Sequence, residues 1–273
     1  MILFANAKIN IGLQVIAKRA DGYHELNSVF YPLPIYDVIE LLETTSDLPS
    51  LNIQGQYVPG DIADNLCIKA YELLRKEYVI PTVSIDLIKQ IPIGAGLGGG
   101  SADAAFILKG LNELFRLELR TEELEAYATQ LGADCPFFIS NTAVFARGIG
   151  TDFKKISLSL DPYFMVVIMP DIHVSTAEAY HTVKPKLPEV NLEEAIRLPI
   201  QEWKFHIRND FEEGIFERYP LLKEIKEALY QKGAIYASMS GSGSAIYGIF
   251  WEQIDLNEFV KYGRIYYPSP MTS

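Results

Sequence analysis

Apolar residues recur along this chain at two different spacings. Over residues 83–87 they alternate with polar residues, which predicts a half-buried strand. Over residues 104–115 they recur every three or four positions, which predicts a helix with one buried stripe. Further strands are predicted at 2–15, 28–42, 143–146, 234–239 and 245–250, and further helices at 65–78, from 121 onward and at 220–232. A continuous apolar run at 163–169, closed by Pro170, predicts a fully buried strand.

Polar residues mark where three of these helices are expected to begin. Asp64, Ser101 and Thr121 have the short side chains that accept a hydrogen bond from the free N–H groups of a first helical turn. Strands and helices follow one another without regular βα alternation, which favours an α+β fold. A boundary near Asp161 and Pro162 divides the chain into an N-terminal domain, 1–160, and a C-terminal domain, 161–273.

Composition narrows the classes of function. The chain has 273 residues, of which 49% are hydrophobic, and a formal net charge of −11. An acidic protein is not expected to bind nucleic acid broadly. No apolar run reaches the roughly 18 residues of a membrane span, and the two cysteines form neither a disulfide framework nor a zinc motif. We therefore expect a cytoplasmic protein without a nucleic-acid or membrane partner.

The glycine-rich segment PIGAGLGGGSADAA at residues 92–105 is the strongest candidate for chemistry. Glycine allows positive φ angles and lets backbone N–H groups approach a ligand closely. A helix that begins directly behind such a loop adds unpaired N–H donors and the positive end of its dipole. The segment predicts an anion site, most simply for phosphates. A purely structural turn is the alternative, but a turn needs one or two glycines rather than five.

Part of this loop has the spacing of a dinucleotide-binding fingerprint, since Gly94, Gly96 and Gly99 fit G-x-G-x-x-G. That fingerprint needs a strand running straight into the glycines and a second parallel strand carrying an acidic residue. Here Pro92 separates strand and loop, and Glu118 stands between two predicted helices. The Gly-Lys-Ser/Thr of a Walker A loop and the HRD and DFG motifs of protein kinases do not occur.

The full string P-x-x-x-G-L-G-G-G-S-A-x-A-A resembles the phosphate loop of the GHMP kinases, a family of small-molecule kinases. AKIN at residues 7–10 and SGSGS at residues 240–244 resemble two further motifs of that family, in the same order. The resemblance implies an ATP-dependent small-molecule kinase. It also implies a ribosomal S5-like N-terminal domain and a ferredoxin-like C-terminal domain, with ATP and substrate in the cleft between them.

Three more segments narrow the resemblance within the family. RADGYHEL at residues 19–26, DNL at 64–66 and LGADCPFF at 131–138 are similar to the branch that phosphorylates 4-diphosphocytidyl-2-C-methylerythritol, in the non-mevalonate route to isoprenoids. The implied reaction is Mg·ATP-dependent transfer of a phosphoryl group to the 2-hydroxyl of this cytidylyl-diphosphate sugar alcohol.

The resemblance implies that Asp134 accepts the proton of the attacking hydroxyl and that Lys8 stabilises the developing charge. From the residues alone, Asp134 is equally a helix cap or turn residue, and Lys8 a charge on a solvated face. The family usually has Pro two positions before this lysine, where this chain has Asn6. Close relatives often have Asn where this chain has Asp103, which we expect to face away from the triphosphate and not to bind metal.

The remaining site residues follow from the resemblance in two groups. Tyr23 and His24 are expected to hold the cytosine ring, with Tyr180 on its other face. The alternative is that Tyr23 and Tyr180 are ordinary members of the sixteen tyrosines and that His24 is a histidine of a surface loop. The residues expected to bind ATP are Asn65, Lys89, Pro92, Gly94, Ala95, Gly96, Leu97, Gly98, Gly99, Gly100, Ser101 and Ala102, with Ser101 also a candidate Mg²⁺ ligand. The residues expected to bind the acceptor substrate are Asn10, Tyr23, His24, Asp134, Tyr180, Gly241 and Ser242.

Other functions stay open at this point. A mevalonate- or homoserine-type kinase shares the same motifs, and only a cytidylyl substrate calls for an aromatic residue and an imidazole that bind a base. A nicotinamide-dependent oxidoreductase and a non-catalytic nucleotide-binding protein are the alternatives from other classes. We expect a monomer or a weak homodimer.

Overall fold

The computed structural model describes residues 1–268, which form a mixed fold of strands and helices. The strands are β1 (Ile2–Lys18), β2 (His24–Glu43), β3 (Ser50–Gly55), β4 (Val83–Lys89), β5 (Val144–Arg147), β6 (Asp152–Lys155), β7 (Phe164–Met169), β8 (Tyr236–Met239), β9 (Ile246–Phe250) and β10 (Arg264–Tyr266). The helices are α1 (Leu66–Arg75), α2 (Gly99–Leu114), α3 (Thr121–Leu131), α4 (Cys135–Ser140), α5 (Thr176–Thr182), α6 (Leu192–Ala195), α7 (Ile200–His206), α8 (Phe211–Arg218) and α9 (Pro220–Gln231), with short 3₁₀ turns at Ile62–Asp64 and Asn257–Tyr262.

The chain forms two compact units. The first unit contains Met1–Lys8, Pro34–Ile93 and Gly98–Thr142. The second unit contains Ile9–Leu33, Gly94–Leu97 and the described chain from Ala143 to residue 268. Strands β1 and β2 therefore contribute residues to both units, and so does the glycine-rich loop. The division at residue 160 drawn from the sequence stays a prediction about domains.

The first unit combines paired strands with a group of helices. Strand β4 pairs antiparallel with residues 38–43 of β2 and parallel with β3. The helices α1, α2, α3 and α4 pack against one another. Helix α2 buries Ala104, Ile107, Leu108 and Leu111, which repeat at helical spacing and explain why this segment folds as a helix.

The second unit contains a four-stranded antiparallel sheet in the order β10-β7-β9-β8. Helix α9 packs against β8 and β9. A buried apolar cluster fills this unit, and it includes Val166 and Ile168 of β7 and Leu222, Ile225 and Leu229 of α9. In the same unit, residues 28–30 of β2 pair with β5, which pairs with β6.

The predicted α+β class is confirmed, and each predicted strand and helix is present with small shifts of its ends. The three predicted N-caps are wrong. Asn65, Gly98 and Arg120 occupy the N-cap positions of α1, α2 and α3.

Each difference has a local cause. The side chain of Asn65 accepts from the N–H of Cys67, so the cap moves one residue past Asp64. Gly98 adopts a left-handed conformation, so α2 begins at Gly99 and includes Ser101. Glu123 accepts from the N–H of Arg120, which makes Thr121 the first helical residue.

The order of elements after the glycine-rich loop differs from a dinucleotide-binding fold. Helix α2 is followed by α3 and α4, and the next strand, β5, pairs antiparallel with β2. No second parallel strand follows the loop in the order that the fingerprint requires, within residues 1–268. None of the helices in this part of the chain combines the length and apolar character that crossing a membrane requires.

Candidate active site

Lys8 and Asp134 form an ion pair in the first unit. Lys8 Nζ lies 3.3 Å from Asp134 Oδ2, although the two residues are far apart in sequence. The Lys8 side chain is 4% exposed, whereas that of Asp134 is 33% exposed. A buried ammonium therefore stands beside a carboxylate that solvent, and hence a substrate, can reach.

The fold presents these two groups from different elements. Lys8 belongs to β1 and lies in a continuously buried stretch of that strand. Asp134 precedes α4, which begins Cys135-Pro136, and in the described structure its side chain makes no capping hydrogen bond to the helix. Its carboxylate is therefore not engaged by the helix end, as the cap interpretation of the sequence would require.

A second contact links the same two elements. Asn6 Nδ2 donates to Asn141 Oδ1 at 3.1 Å, and Asn141 Nδ2 donates to Asn6 Oδ1 at 2.7 Å. Asn141 ends α4 in the left-handed conformation that Asn tolerates well. Asn6, which replaces the proline usual in the family, thus joins β1 to α4 two residues before Lys8.

The start of α2 lies against the same lysine. Gly98 has φ +72°, and a Cβ on it would lie 2.9 Å from Phe138 Cζ and 3.1 Å from Lys8 Cγ. Glycine is required here both for its conformation and for this close approach. Ser101 follows in the first turn of α2, and burial raises the pKa of the nearby Cys135 thiol to about 11.

The surroundings of Lys89 differ from those expected of a lysine whose ammonium faces ATP. It is buried and hydrogen-bonds to the carboxylates of Asp37 and Asp103. Burial and the neighbouring Asp37 raise the pKa of Asp103 to about 7, despite the opposing effect of Lys89. Although burial opposes it, Asp103 and Asp37 raise the pKa of Lys89. A contact between Lys89 and ATP stays a prediction.

Two further predicted ATP residues have structural surroundings of their own. The side-chain oxygen of Asn65 accepts from the N–H of Cys67 at 2.9 Å and caps α1. Pro92 is buried just before the loop, and Ala102 is buried in the first turn of α2. A role for Asn65, Pro92 and Ala102 in binding ATP stays a prediction.

The first half of the glycine-rich loop, Gly94–Leu97, belongs to the second unit. Gly96 has φ +76°, and a Cβ on it would lie 1.9 Å from the carbonyl oxygen of Ser240. Gly94 has φ +68°, and a Cβ on it would lie 2.7 Å from Cε1 of His173. At both positions only glycine allows the backbone to approach its neighbour this closely.

Ser240 connects this loop to β1. Its hydroxyl donates to the carbonyl oxygen of Gly96 at 2.8 Å and accepts from the backbone N–H of Asn10 at 3.2 Å. The Asn10 side chain donates to Ser28 Oγ at 2.9 Å. A Cβ on Gly241 would lie 3.2 Å from Asn10 Oδ1, so the predicted substrate residues Asn10 and Gly241 are close neighbours. Ser242 lies beyond them, with its hydroxyl 3.4 Å from that of Thr176.

The second unit also brings together His24 and Tyr180. Their rings are stacked, with centroids 4.7 Å apart and an angle of 20° between planes. Burial, with a contribution from Lys18, lowers the pKa of His24, which favours the neutral imidazole. Tyr23 precedes this pair and is 62% exposed. These aromatic residues are partly accessible, but His24 and Tyr180 stack directly on each other, so a base between them, as expected from the sequence, would require the two rings to separate.

Sequence reasoning missed two residues that support these groups, Asp37 and Asn141. Asp37 lies on the buried face of β2 together with Ile35 and Ile39, so a carboxylate within an alternating apolar pattern was the available indication. Asn141 follows a short helix, where Asn often adopts the left-handed conformation. Ser240, by contrast, belongs to the SGSGS motif at residues 240–244 that the sequence had already indicated.

Family models and individual relatives of known name all place this chain in the same family. The model for the GHMP kinases N terminal domain matches residues 65–142, and that for the GHMP kinases C terminal matches residues 192–269. A protein of Parabacteroides distasonis named 4-diphosphocytidyl-2-C-methyl-D-erythritol kinase is 51% identical over 250 residues, with 92% of each chain covered. The protein of the same name from Bacteroides fragilis is 52% identical over 252 residues, again with 92% of each chain covered.

A solved structure agrees with these relatives. The crystal structure of a 4-(cytidine 5'-diphospho)-2C-methyl-D-erythritol kinase is 34% identical to this chain. It superposes with a TM-score of 0.84 and covers 98% of both chains. The chain therefore belongs to the GHMP kinase family and, within it, to the 4-diphosphocytidyl-2-C-methyl-D-erythritol kinases, which are ATP-dependent small-molecule kinases.

Proposed function

We propose that this chain transfers the γ-phosphoryl group of ATP to the 2-hydroxyl of 4-diphosphocytidyl-2-C-methyl-D-erythritol, a step of isoprenoid precursor synthesis. The observation that carries the chemical part of the proposal is the ion pair of Lys8 with Asp134 at 3.3 Å. The choice of substrate rests on the names of relatives that are about half identical to this chain in sequence.

In the proposed step the substrate hydroxyl oxygen attacks the γ-phosphorus of ATP. A new O–P bond forms, the bond between the γ-phosphorus and the β,γ-bridging oxygen breaks, and ADP leaves. The hydroxyl proton passes to the carboxylate of Asp134. The ammonium of Lys8 stabilises the negative charge that develops on the attacking oxygen, and its burial strengthens that effect.

Binding of ATP falls to the backbone of the glycine-rich loop and the first turn of α2. The N–H groups of a helix start carry partial positive charge and suit phosphate oxygens. We assign Gly94 to Ala102 to this role, with Asn65, Lys89 and Pro92 at its border. Gly98 supports the assignment because its left-handed conformation starts α2 close to the Lys8 side chain.

Mg²⁺ is proposed to accompany ATP. Mg²⁺ commonly takes one or two protein oxygens and completes its shell with phosphates and water. Within residues 1–268 no three His, Cys, Asp or Glu side chains are grouped to hold a metal ion. A Mg²⁺ ion bound mainly by phosphates and water needs only one or two protein oxygens, and the hydroxyl of Ser101, on the first turn of α2, could supply one. The cation would neutralise phosphate charge during transfer.

The cytidine part of the substrate is assigned to the second unit. The stacked His24 and Tyr180 rings, with Tyr23 beside them in sequence, offer flat surfaces and an imidazole edge for a base. Asn10, Gly241 and Ser242 are assigned to the remainder of the substrate. We further propose that the protein acts in the cytoplasm as a monomer or weak homodimer.

The test measures ADP release by the purified chain with Mg·ATP and each of three acceptors: the cytidylyl substrate, mevalonate and homoserine. We expect release with the cytidylyl substrate alone, and loss of release when EDTA removes Mg²⁺. Replacing Asp134 by Ala should lower kcat by roughly 10²–10⁴, the usual contribution of a positioned base. Asp152→Ala, which removes an exposed carboxylate of β6, is the control and should behave as the parent.

Each contrary result removes a definite part of the proposal. Faster turnover of mevalonate or homoserine would reassign the substrate. Equal rates for Asp134→Ala and the parent would remove the proposed base. A change in NADH fluorescence on adding the protein would support the oxidoreductase alternative.

A further inference from the structure

Asp37, Lys89 and Asp103 form a buried ion cluster in the first unit that the proposed chemical step does not use. The Lys89 ammonium donates to Asp37 Oδ2 and, at 2.7 Å, to Asp103 Oδ2. The three side chains are 0%, 3% and 3% exposed, in chain order. One lysine thus stands between two carboxylates, where its positive charge is already compensated.

The three residues come from β2 and from the two elements on either side of the glycine-rich loop, β4 and α2. In the antiparallel register Val38 faces Ile88, so Asp37 and Lys89 follow at opposite positions of β2 and β4. Asp103 lies near the start of α2, on the buried stripe that continues with Ile107. The cluster therefore joins the strand that enters the loop to the helix that leaves it.

Asp37 also holds the backbone between β4 and the loop. Its other oxygen, Oδ1, accepts from the N–H of Gln90 at 2.5 Å and from the N–H of Ile91 at 2.8 Å. Two consecutive backbone donors before Pro92 are thereby fixed to β2. The chain enters the loop from a defined position.

The backbone at the other end of the loop, where α2 begins, is also closely packed. A Cβ on Gly99 would lie 2.9 Å from Lys89 Nζ and 2.9 Å from Ile91 Cγ2. The first residue of α2 is thus in contact with the lysine of the cluster. A displacement of Lys89 would displace the helix start whose N–H groups are assigned to the phosphates.

We propose that Asp37, Lys89 and Asp103 are positioning residues that fix the backbone donors at the start of α2 for ATP. Lys89 acts through this geometry and not as a free ammonium directed at the triphosphate. The inference rests on the proposed kinase function, since it concerns the same loop. Buried ion pairs suit such a role because an arrangement that separates them leaves an uncompensated buried charge.

The detailed hydrogen bonding indicates how to test this role. Asp103 Oδ1 has no hydrogen-bond partner among the residues that the structure describes, whereas Oδ2 receives the bond from Lys89. Asp103→Asn keeps an acceptor for Lys89 and the shape of the side chain. Asp103→Ala removes both, and Glu113→Gln removes an exposed charge from the same helix as the control.

The experiment measures kcat and both KM values for the parent and these variants, together with their melting temperatures. For Asp103→Ala we expect KM for ATP to rise at least about tenfold, with kcat within about threefold and KM for the cytidylyl substrate unchanged. Asp103→Asn should restore KM for ATP to within about threefold of the parent, and Glu113→Gln should match the parent.

A folded Asp103→Ala protein with the parental KM for ATP would overturn the inference, because a merely structural role would change only the melting temperature. Equal losses in Asp103→Asn and Asp103→Ala would overturn it as well, since the charge and not the geometry would then matter. If Asp103→Ala does not fold, Asp103→Ser is measured in its place against the same criterion. Absence of ADP release by the parent would instead reject the proposed function.

Discussion

At the scale of single residues, the glycines of the loop serve different physical needs. Gly96 combines φ +76° with a carbonyl oxygen of Ser240 that would overlap any side chain. Gly98 combines φ +72° with contacts to Lys8 and Phe138. Gly100 has ordinary helical geometry, and nothing lies within 4 Å of where its Cβ would be. The sequence motif makes these positions look equivalent, but the structure separates them.

The different surroundings of Gly96 and Gly100 lead to a prediction for Gly96→Ala. A left-handed conformation costs a residue with a side chain about 1–2 kcal/mol, and the overlap with Ser240 must be relieved by moving the loop. We expect kcat/KM for ATP to fall by at least about 100-fold in the ADP-release assay. Gly100→Ala should leave the melting temperature unchanged or raise it, because Ala favours a helix by up to about 1 kcal/mol over Gly. A Gly96→Ala protein with parental kcat/KM would contradict this account.

At the scale of elements, the contact between β1 and α4 sets the distance between two candidate catalytic groups. Lys8 lies two residues after Asn6, and Asp134 directly precedes α4, which Asn141 terminates. The reciprocal amide bonds of Asn6 and Asn141 therefore hold both elements close to the ion pair. Reorienting either element would change the separation of Lys8 and Asp134.

We accordingly predict that Asn6→Ala lowers kcat by about tenfold, with little change in KM for ATP. It should also lower the free energy of unfolding by about 1–3 kcal/mol, because two hydrogen bonds with the partly buried amide of Asn141 are lost. Asn141→Gly keeps the left-handed backbone and should lower kcat to a similar extent. Urea unfolding and steady-state kinetics measure these effects, with Asn52→Ala, which removes an exposed amide of β3, as the control. A parental kcat in Asn6→Ala would show that the ion pair is positioned without this contact.

The elements also show what the sequence could predict. Periodicity located β4 and α2 because one face of each is buried, and burial is what imposes an apolar pattern. It missed the short helices α5 to α8, which span four to eight residues and carry too few turns for a clear stripe. The predicted cap of α2 failed for a different reason: Gly98 begins α2 through its backbone conformation, which no side-chain preference reveals.

The candidate site was predictable through motifs and not through periodicity. Lys8 and Asp134 are distant in sequence, and only resemblance to a family joined them before the structure placed them 3.3 Å apart. Lys89 was named for its positive charge, but its carboxylate partners come from β2 and α2. Such pairing depends on the register of strands and the rotation of a helix, and local sequence does not fix either.

At the scale of the whole molecule, the net charge of −11 opposes the approach of two anionic substrates. The charge of Lys8 is offset by Asp134 and that of Lys89 by two carboxylates. Long-range repulsion between exposed charges weakens as salt shortens the screening length to about 10 Å at 0.1 M. Moderate salt should therefore help the substrates to associate.

We predict that kcat/KM for both substrates rises about two- to threefold between 10 and 100 mM NaCl, at saturating Mg²⁺, and then levels off. Initial rates of ADP release at low substrate concentration measure this dependence. A parallel series in potassium acetate separates ionic strength from an effect of chloride. A steady fall of kcat/KM with salt would show that local positive potential outweighs the net charge.

The hydroxyl of Ser240 has a consequence for protein engineering. It bonds to the carbonyl oxygen of Gly96 and to the N–H of Asn10, which lie in segments far apart along the chain. A graft of residues 92–105 into another scaffold would carry the glycines but not the partners that fix their backbone. The motif is thus not a portable module, and its transfer would need Ser240 and Asn10 to be rebuilt around it.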